Sequence, residues 1–338
     1  MSGNTSNSGV TMAEAVRQAL GEILEARSEA VLLGCDIGVW GGPFRATAGL
    51  SERFGKARVL DTPPNPAAIL GFSRGLRLAG HLPICELPPE LAARAAGAMV
   101  DGLGRYEART GQAGGPLVVR VPVGRVAHGS LADGDSPEAA LGGSEGLRVV
   151  SPSRPVDAWS MLKLAVLAER REPVVILEPK ALYRSRGAPL PEVPDEDALT
   201  HLRRVRAGDD LVIVAWGAAV PVAVLAAEAL EADGYRVGVV DLRVLVPLDR
   251  TALVEAVKAA GRALVVHDTG GSFAGRIAAE IAREAFLWLE APVVEVGGDA
   301  LGDLGDVMRL GARPETMGAD VDDWVARVRE QALATLRF

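Results

Sequence analysis

Aromatic side chains are scarce. Phe, Trp and Tyr make up 4% of the 338 residues, so any core must be filled by Ala, Val and Leu. Only two cysteines occur, Cys35 and Cys85, too few for a disulfide framework, and no CxxC or His/Cys spacing suggests zinc. Clusters of Lys and Arg are missing, and a net charge of −8 argues against a nucleic-acid partner. The longest uncharged run, residues 211–227, is interrupted by Gly217 and Pro221, so it reads as strand, turn and helix rather than a membrane span. Residues 1–9 are rich in Ser, Asn and Gly and lack the basic-then-apolar order of a signal peptide. The expectations are a disordered tail over 1–10, a cytoplasmic protein and no membrane contact.

What is present is an alternation of strands and helices. Apolar residues at 49% and charged residues at 24% are ordinary for an α/β protein, and the length suits two domains with separate cores. A helix is expected over 11–27 with Thr11 as N-cap, a buried strand over 30–34, and a short helix over 47–54. Strand 82–85 follows a helix over 67–79, and 91–109 is expected to be helical with Ala-rich turns. Strands at 116–121, 147–150 and 174–177 enclose a helix over 156–169. The segment from Arg184 to Asp197, rich in Pro, Gly and charge, is the best linker in the chain. Beyond it, strands near 211–215, 236–240, 263–266 and 293–296 alternate with helices. Such alternation predicts parallel sheets covered on both faces.

The stretch that organises the chain is 59–86. A strand ends at Leu60, three prolines in Asp61-Thr62-Pro63-Pro64-Asn65-Pro66 remove backbone donors and fix φ, and a small-residue helix follows with Gly71 and Gly75 four apart. Asp61-Thr62-Pro63, a helix ending in Ala79-Gly80, and Pro83-Ile84-Cys85-Glu86 together resemble the β subunit of thiamine-diphosphate-dependent 2-oxoacid dehydrogenases, the E1β chain of pyruvate or branched-chain type. Further likenesses fall in order. They include Gly41-Gly42-Pro43-Phe44-Arg45, the segment from Pro116 to Arg120, Ser136-Pro137-Glu138-Ala139, the segment from Gly146 to Pro152, and Glu178-Pro179-Lys180-Ala181-Leu182-Tyr183-Arg184. Val214-Ala215-Trp216-Gly217, Asp241-Leu242-Arg243 and Leu289-Glu290-Ala291-Pro292 continue the likeness to the family's second domain.

The resemblance implies an α/β fold of two doubly wound parallel-sheet domains. A transketolase-like pyrimidine-binding domain would cover 11–184, a linker 185–204, and a transketolase C-terminal-like domain 205–338. It also implies a partner. An E1α-like subunit would hold the diphosphate and magnesium of thiamine diphosphate, in an α2β2 assembly or beside a homodimer of this chain, and a lipoyl or other acyl-carrier protein would accept the product.

The pocket positions depart from that family. Thiamine diphosphate reacts through a carbanion formed when its aminopyrimidine, in the imino form, takes a proton. A carboxylate on the ring nitrogen favours that form. The family's glutamate for this role falls on Pro66, preceded by Pro64 and Asn65. Its pocket glutamine falls on Pro88, and its stacking aromatic falls near Leu91 or Ala92. A histidine becomes Asp133, with His128 five residues upstream as the candidate replacement, so Asp133 and His128 are the candidate catalytic residues. Cys35, next to Asp36, stands where the family has a glutamate, and Arg170 replaces an acid of a structural cation site. No metal-binding set is expected in this chain.

Other groupings read as structure. The polar loop with His128, Ser130, Asp133 and Asp135 lacks the separated segments of a triad. His267-Asp268-Thr269-Gly270-Gly271 could cradle an anion at a helix start. Asp299, Asp303 and Asp306 lack the glycine and terminal glutamate of a calcium loop. Two hypotheses stand: a β subunit of a 2-oxoacid dehydrogenase-like or two-carbon-transfer enzyme with an atypical pocket, or a repurposed E1β-like assembly protein, a pseudoenzyme without thiamine diphosphate.

Overall fold

The computed structural model describes residues 9–112, 114–124, 136–167, 171–268, 272–297 and 319–338. Strand β1 (Val10–Thr11) leads into helix α1 (Met12–Ala26). Thr11 caps α1 by accepting from the Glu14 N–H at 3.2 Å, while the Glu14 carboxylate takes the Thr11 N–H at 2.8 Å. Val10, placed by the sequence in a disordered tail, is instead paired antiparallel with Gly187; residues 1–8 of that tail lie outside the described residues.

The first domain continues with β2 (Ala30–Gly34), α2 (Leu50–Phe54), β3 (Val59–Asp61), α3 (Pro66–Leu78) and β4 (Leu82–Glu86). Next come α4 (Pro89–Ala92), α5 (Ala96–Met99) and α6 (Tyr106–Thr110), which with a 3-10 turn at Ala93–Ala95 form the helical stretch expected here. A wider, π-type turn at Val100–Gly104 separates the last two. Gly104 packs so closely on the Glu145 carbonyl that a Cβ there would lie 2.7 Å from it. Then follow β5 (Val118–Val123), α7 (Glu138–Leu141), β6 (Arg148–Val150), α8 (Pro155–Leu167), β7 (Val174–Pro179) and β8 (Arg186–Gly187).

The second domain contains β9 (Arg203–Arg206), β10 (Leu211–Ala215), α9 (Ala219–Ala232), β11 (Val237–Asp241), β12 (Val244–Val246), α10 (Arg250–Ala260), β13 (Ala263–His267), α11 (Ser272–Glu284), β14 (Val294–Gly297) and α12 (Ala319–Leu336). Its sheet runs β14-β13-β10-β11-β9, parallel except for the outer strand β9. The larger sheet runs β12-β6-β7-β5-β4-β2-β3, and β12 crosses from the second half of the chain to pair antiparallel with β6. The two α/β domains are therefore as expected, with an antiparallel edge strand on each sheet.

Alternate residues of the buried strands feed two cores. Leu32, Ile84, Val118 and Ile176 face α1 and α8, while Leu33, Cys85, Val119 and Leu177 face the other layer. Among the described residues no helix is long and apolar enough to cross a membrane.

Candidate functional site

In an open parallel sheet, ligands meet the loops at the carboxyl ends of the strands. Gly34, Asp61 and Glu86 lie in register at the ends of β2, β3 and β4. The fold thus brings three sets of predicted pocket residues to one sheet edge. Cys35 and Asp36 follow β2, Pro64 and Pro66 follow β3, and Pro88 and Leu91 follow β4. His128 and Asp133 lie outside the described residues, as do Arg170, Thr269–Gly271 and Asp299, Asp303 and Asp306.

Each neighbour at this edge has an assignment. Asp61 accepts the Gly38 N–H at 2.7 Å and the Val39 N–H at 3.1 Å, fixing the loop after β2. Asn65 caps α3, its Oδ1 taking the Ala68 N–H at 3.1 Å, and Pro66 is the first helical residue. An Asn-Pro pair is a favourable helix start: the side chain satisfies one orphan donor and proline has none to lose. The sequence reading began this helix at Ala67 and did not use that signal. Asp36 is exposed with φ at 57°, and accepts from the Cys35 thiol at 3.4 Å. The Thr62 hydroxyl is buried without a hydrogen-bond partner. Pro88 is buried and Leu91 half-buried, neither offering a polar side chain.

Behind the edge, on the face toward α1 and α8, lies a charged cluster that the sequence reading missed. Arg120 on β5 donates through Nε and Nη2 to both Glu178 oxygens at 2.7 Å, and through Nη1 to Glu86 Oε2 at 2.5 Å. The Tyr183 hydroxyl donates to Glu178 Oε2 at 2.5 Å. All four side chains are buried. Burial raises the Glu86 carboxyl to about 7; Arg120 opposes this and the Glu178 charge reinforces it. Burial, with Glu178, also holds the Tyr183 hydroxyl well above its ordinary range. The Cys85 thiol, in the same strand, is pushed by burial up to about 12, so it stays protonated near neutrality. The available signal was a charge inside otherwise apolar strand runs, since a buried charge requires a partner.

Thiamine activation requires a carboxylate free to meet the aminopyrimidine. Pro66 carries none, Asn65 is spent on its helix, Asp61 holds the Gly38 loop, and Glu86 is tied to Arg120. Asp61, Asn65, Pro66 and Glu86 do not fit that task, and Asp36 stays exposed beside the Cys35 thiol.

Residues 8–186 match the family described as transketolase, pyrimidine binding domain, and residues 200–307 match transketolase, C-terminal domain. The chain is 37% identical over 292 residues to the 2-oxoisovalerate dehydrogenase subunit beta of Bacillus subtilis, covering 84% of this chain and 88% of that one. It belongs to the family of 2-oxoacid dehydrogenase E1 β subunits. A pyruvate dehydrogenase E1 component subunit beta from Staphylococcus epidermidis is 35% identical over 346 residues, with 97% of this chain and 99% of that one covered. Among solved structures, a split-gene transketolase in an inactive β4 tetramer superposes with a TM-score of 0.70 at 23% identity, covering 97% of this chain and 99% of that one. A Pichia stipitis transketolase mutant gives 0.67 at 17% identity, over 98% of this chain and 47% of that chain. These two likenesses speak for the fold.

Proposed function

We propose that the chain acts as the β-type subunit of a 2-oxoacid dehydrogenase E1 assembly, paired with an α-type subunit in an α2β2 or related complex. In this reading the partner holds the diphosphate and magnesium of thiamine diphosphate, a lipoyl-carrying protein accepts the acyl group, and the assembly is cytoplasmic. The likeness to two E1 β subunits across both domains carries the proposal. The boundary at 185–204 belongs to the same reading, as do Asp133 and His128 as candidate substitutes for the missing pocket groups. Two free cysteines agree with a reducing compartment.

An exposed apolar face on α3 supports a partner chain. Ala67, Ala68, Gly71, Phe72, Gly75 and Leu78 include Phe72 at 51% and Leu78 at 43% exposure. A second reading is favoured by Pro66 at the first position of α3: the subunit assembles but leaves thiamine unactivated.

Calorimetric titration of thiamine diphosphate with magnesium, into the chain alone and co-purified with its α partner, separates the two. Saturable binding only in the complex supports the first reading. No binding in an intact complex, with binding gained by Pro66→Glu, supports the second.

A further inference from the structure

The buried stripe of α3 runs through Ile69, Leu70 and Ser73 and ends on Arg77. A charge on the inward side of a helix is costly unless its donors are met. Among the described residues no carboxylate pairs with Arg77, and Glu107 acts on it only from beyond ion-pair distance. Its partners are backbone carbonyls from two loops. Nε donates to the Gly115 oxygen at 2.6 Å, and Nη2 donates to the Gly114 oxygen at 3.3 Å and to the Arg171 oxygen. The stem lies directly on Gly114, where an added Cβ would come 2.7 Å from Arg77 Cγ.

Three carbonyl dipoles thus point at one edge of one guanidinium. Oxygens turned onto one spot repel each other unless a cation lies among them. Sets of backbone carbonyls are how proteins hold a large monovalent ion such as potassium. The two loops lead into β5 and β7, whose first residues, Val118 and Val174, are paired in register. Here the spot is taken by the chain's own positive charge, and a structural monovalent ion does not fit beside it. The sequence departs in the same direction: Arg170, in place of the family's acid, directly precedes the residue that supplies the third carbonyl.

We propose that Arg77 is a tethered replacement for a bound monovalent metal ion, joining the end of α3 to the amino ends of β5 and β7 through the Gly114, Gly115 and Arg171 carbonyls. The chain holds this corner without potassium, and the same carbonyls accept potassium once the guanidinium is removed. The other end of α3 begins at Pro66 on the pyrimidine edge, so the tie fixes the helix that reaches that edge. The proposal does not rest on thiamine binding, so either can fail alone.

The test is thermal melting of the full chain in KCl and in choline chloride at one ionic strength, for the wild type, Arg77→Ala and Arg77→Met. The wild-type midpoint should agree between the two salts within about 1 °C. Arg77→Ala, which leaves room for an ion, should melt at least about 5 °C lower in choline chloride and regain at least about half of that loss in KCl. Arg77→Met, which keeps the stem without the charge, should stay low in both salts. Potassium-specific stabilisation of the wild type overturns the proposal. So does an Arg77→Ala chain, folded or not, that KCl restores no further than choline chloride does. An Arg77→Met chain as stable as the wild type overturns it as well, because the charge would then be dispensable.

Discussion

Glu86 shows what a single buried charge does in this sheet. β4, β5 and β7 are adjacent, so Glu86, Arg120 and Glu178 meet where water is excluded. Two carboxylates share one guanidinium, and burial together with Glu178 raises Glu86 from its ordinary value of 4.5 to about 7. The folded state therefore binds a proton that the unfolded chain releases between those values. This contribution to stability is complete below the unfolded value and is lost as pH rises through the folded one. The urea midpoint should accordingly fall from about pH 5 to about pH 8. Asp268, raised to about 6 by burial, and Asp241, raised by burial and by Asp157, tilt the wild type the same way. The diagnostic quantity is thus the difference from Glu86→Gln, which keeps an acceptor for Arg120 but cannot ionise. Its midpoint should fall less steeply, and identical slopes would refute the assignment. The three charges were visible in the sequence as interruptions of apolar runs. Their meeting was not, because strand order in the sheet departs from strand order in the chain.

Among the elements, α3 was the most legible and carries the most consequence. Its small-residue pattern placed it within one residue of its observed start, and only the Asn65 cap was overlooked. The helical stretch expected over 91–109 is present, but its hydrogen-bond pitch tightens at Ala93–Ala95 and widens at Val100–Gly104, where Gly104 packs on the turn at Glu145. Strands β9 and β12 were also missed. One is a run of arginines, and the other is a three-residue strand whose partner belongs to the other domain. Gly71 and Gly75 show what α3 is exposed for, because a Cβ on either meets no atom within 4 Å. In the isolated chain Gly71→Arg should be tolerated, and should stabilise the helix by up to about 1 kcal/mol through propensity. In an assembly that uses this face, the same change should block association. Light scattering of the chain with its α partner reads the second effect and thermal melting the first. Unimpaired assembly would remove α3 from the interface.

At the scale of the molecule, a buried charge network ties the two domains together. Ser153, at the start of α8, donates to Asp241 Oδ2 at 2.6 Å, across from the end of β11. Arg203 on β9 reaches the same oxygen at 3.0 Å and lies 3.8 Å from Asp157 of the first domain. Arg154 holds Asp157 at 2.7 Å, and Arg243 reaches Asp195, from the segment between the domains, at 2.6 Å. Asp157 and Asp241 are completely buried, so neither can exchange its partner for water. Together with β12, this network joins the two halves although each has its own sheet. The joint was illegible from sequence because its members come from four separate segments, each unremarkable alone. Removing Asp241 takes a hydrogen-bonded carboxylate from Arg203, which keeps Asp157 at 3.8 Å, a loss of about 1–3 kcal/mol. Asp241→Ala should therefore lower stability by that order and split a single calorimetric transition into two, one for each domain. Asp241→Asn retains an acceptor for Ser153 and should cost less. A single transition at the wild-type midpoint in Asp241→Ala would show that the domains are coupled through β12 and their apolar contacts alone.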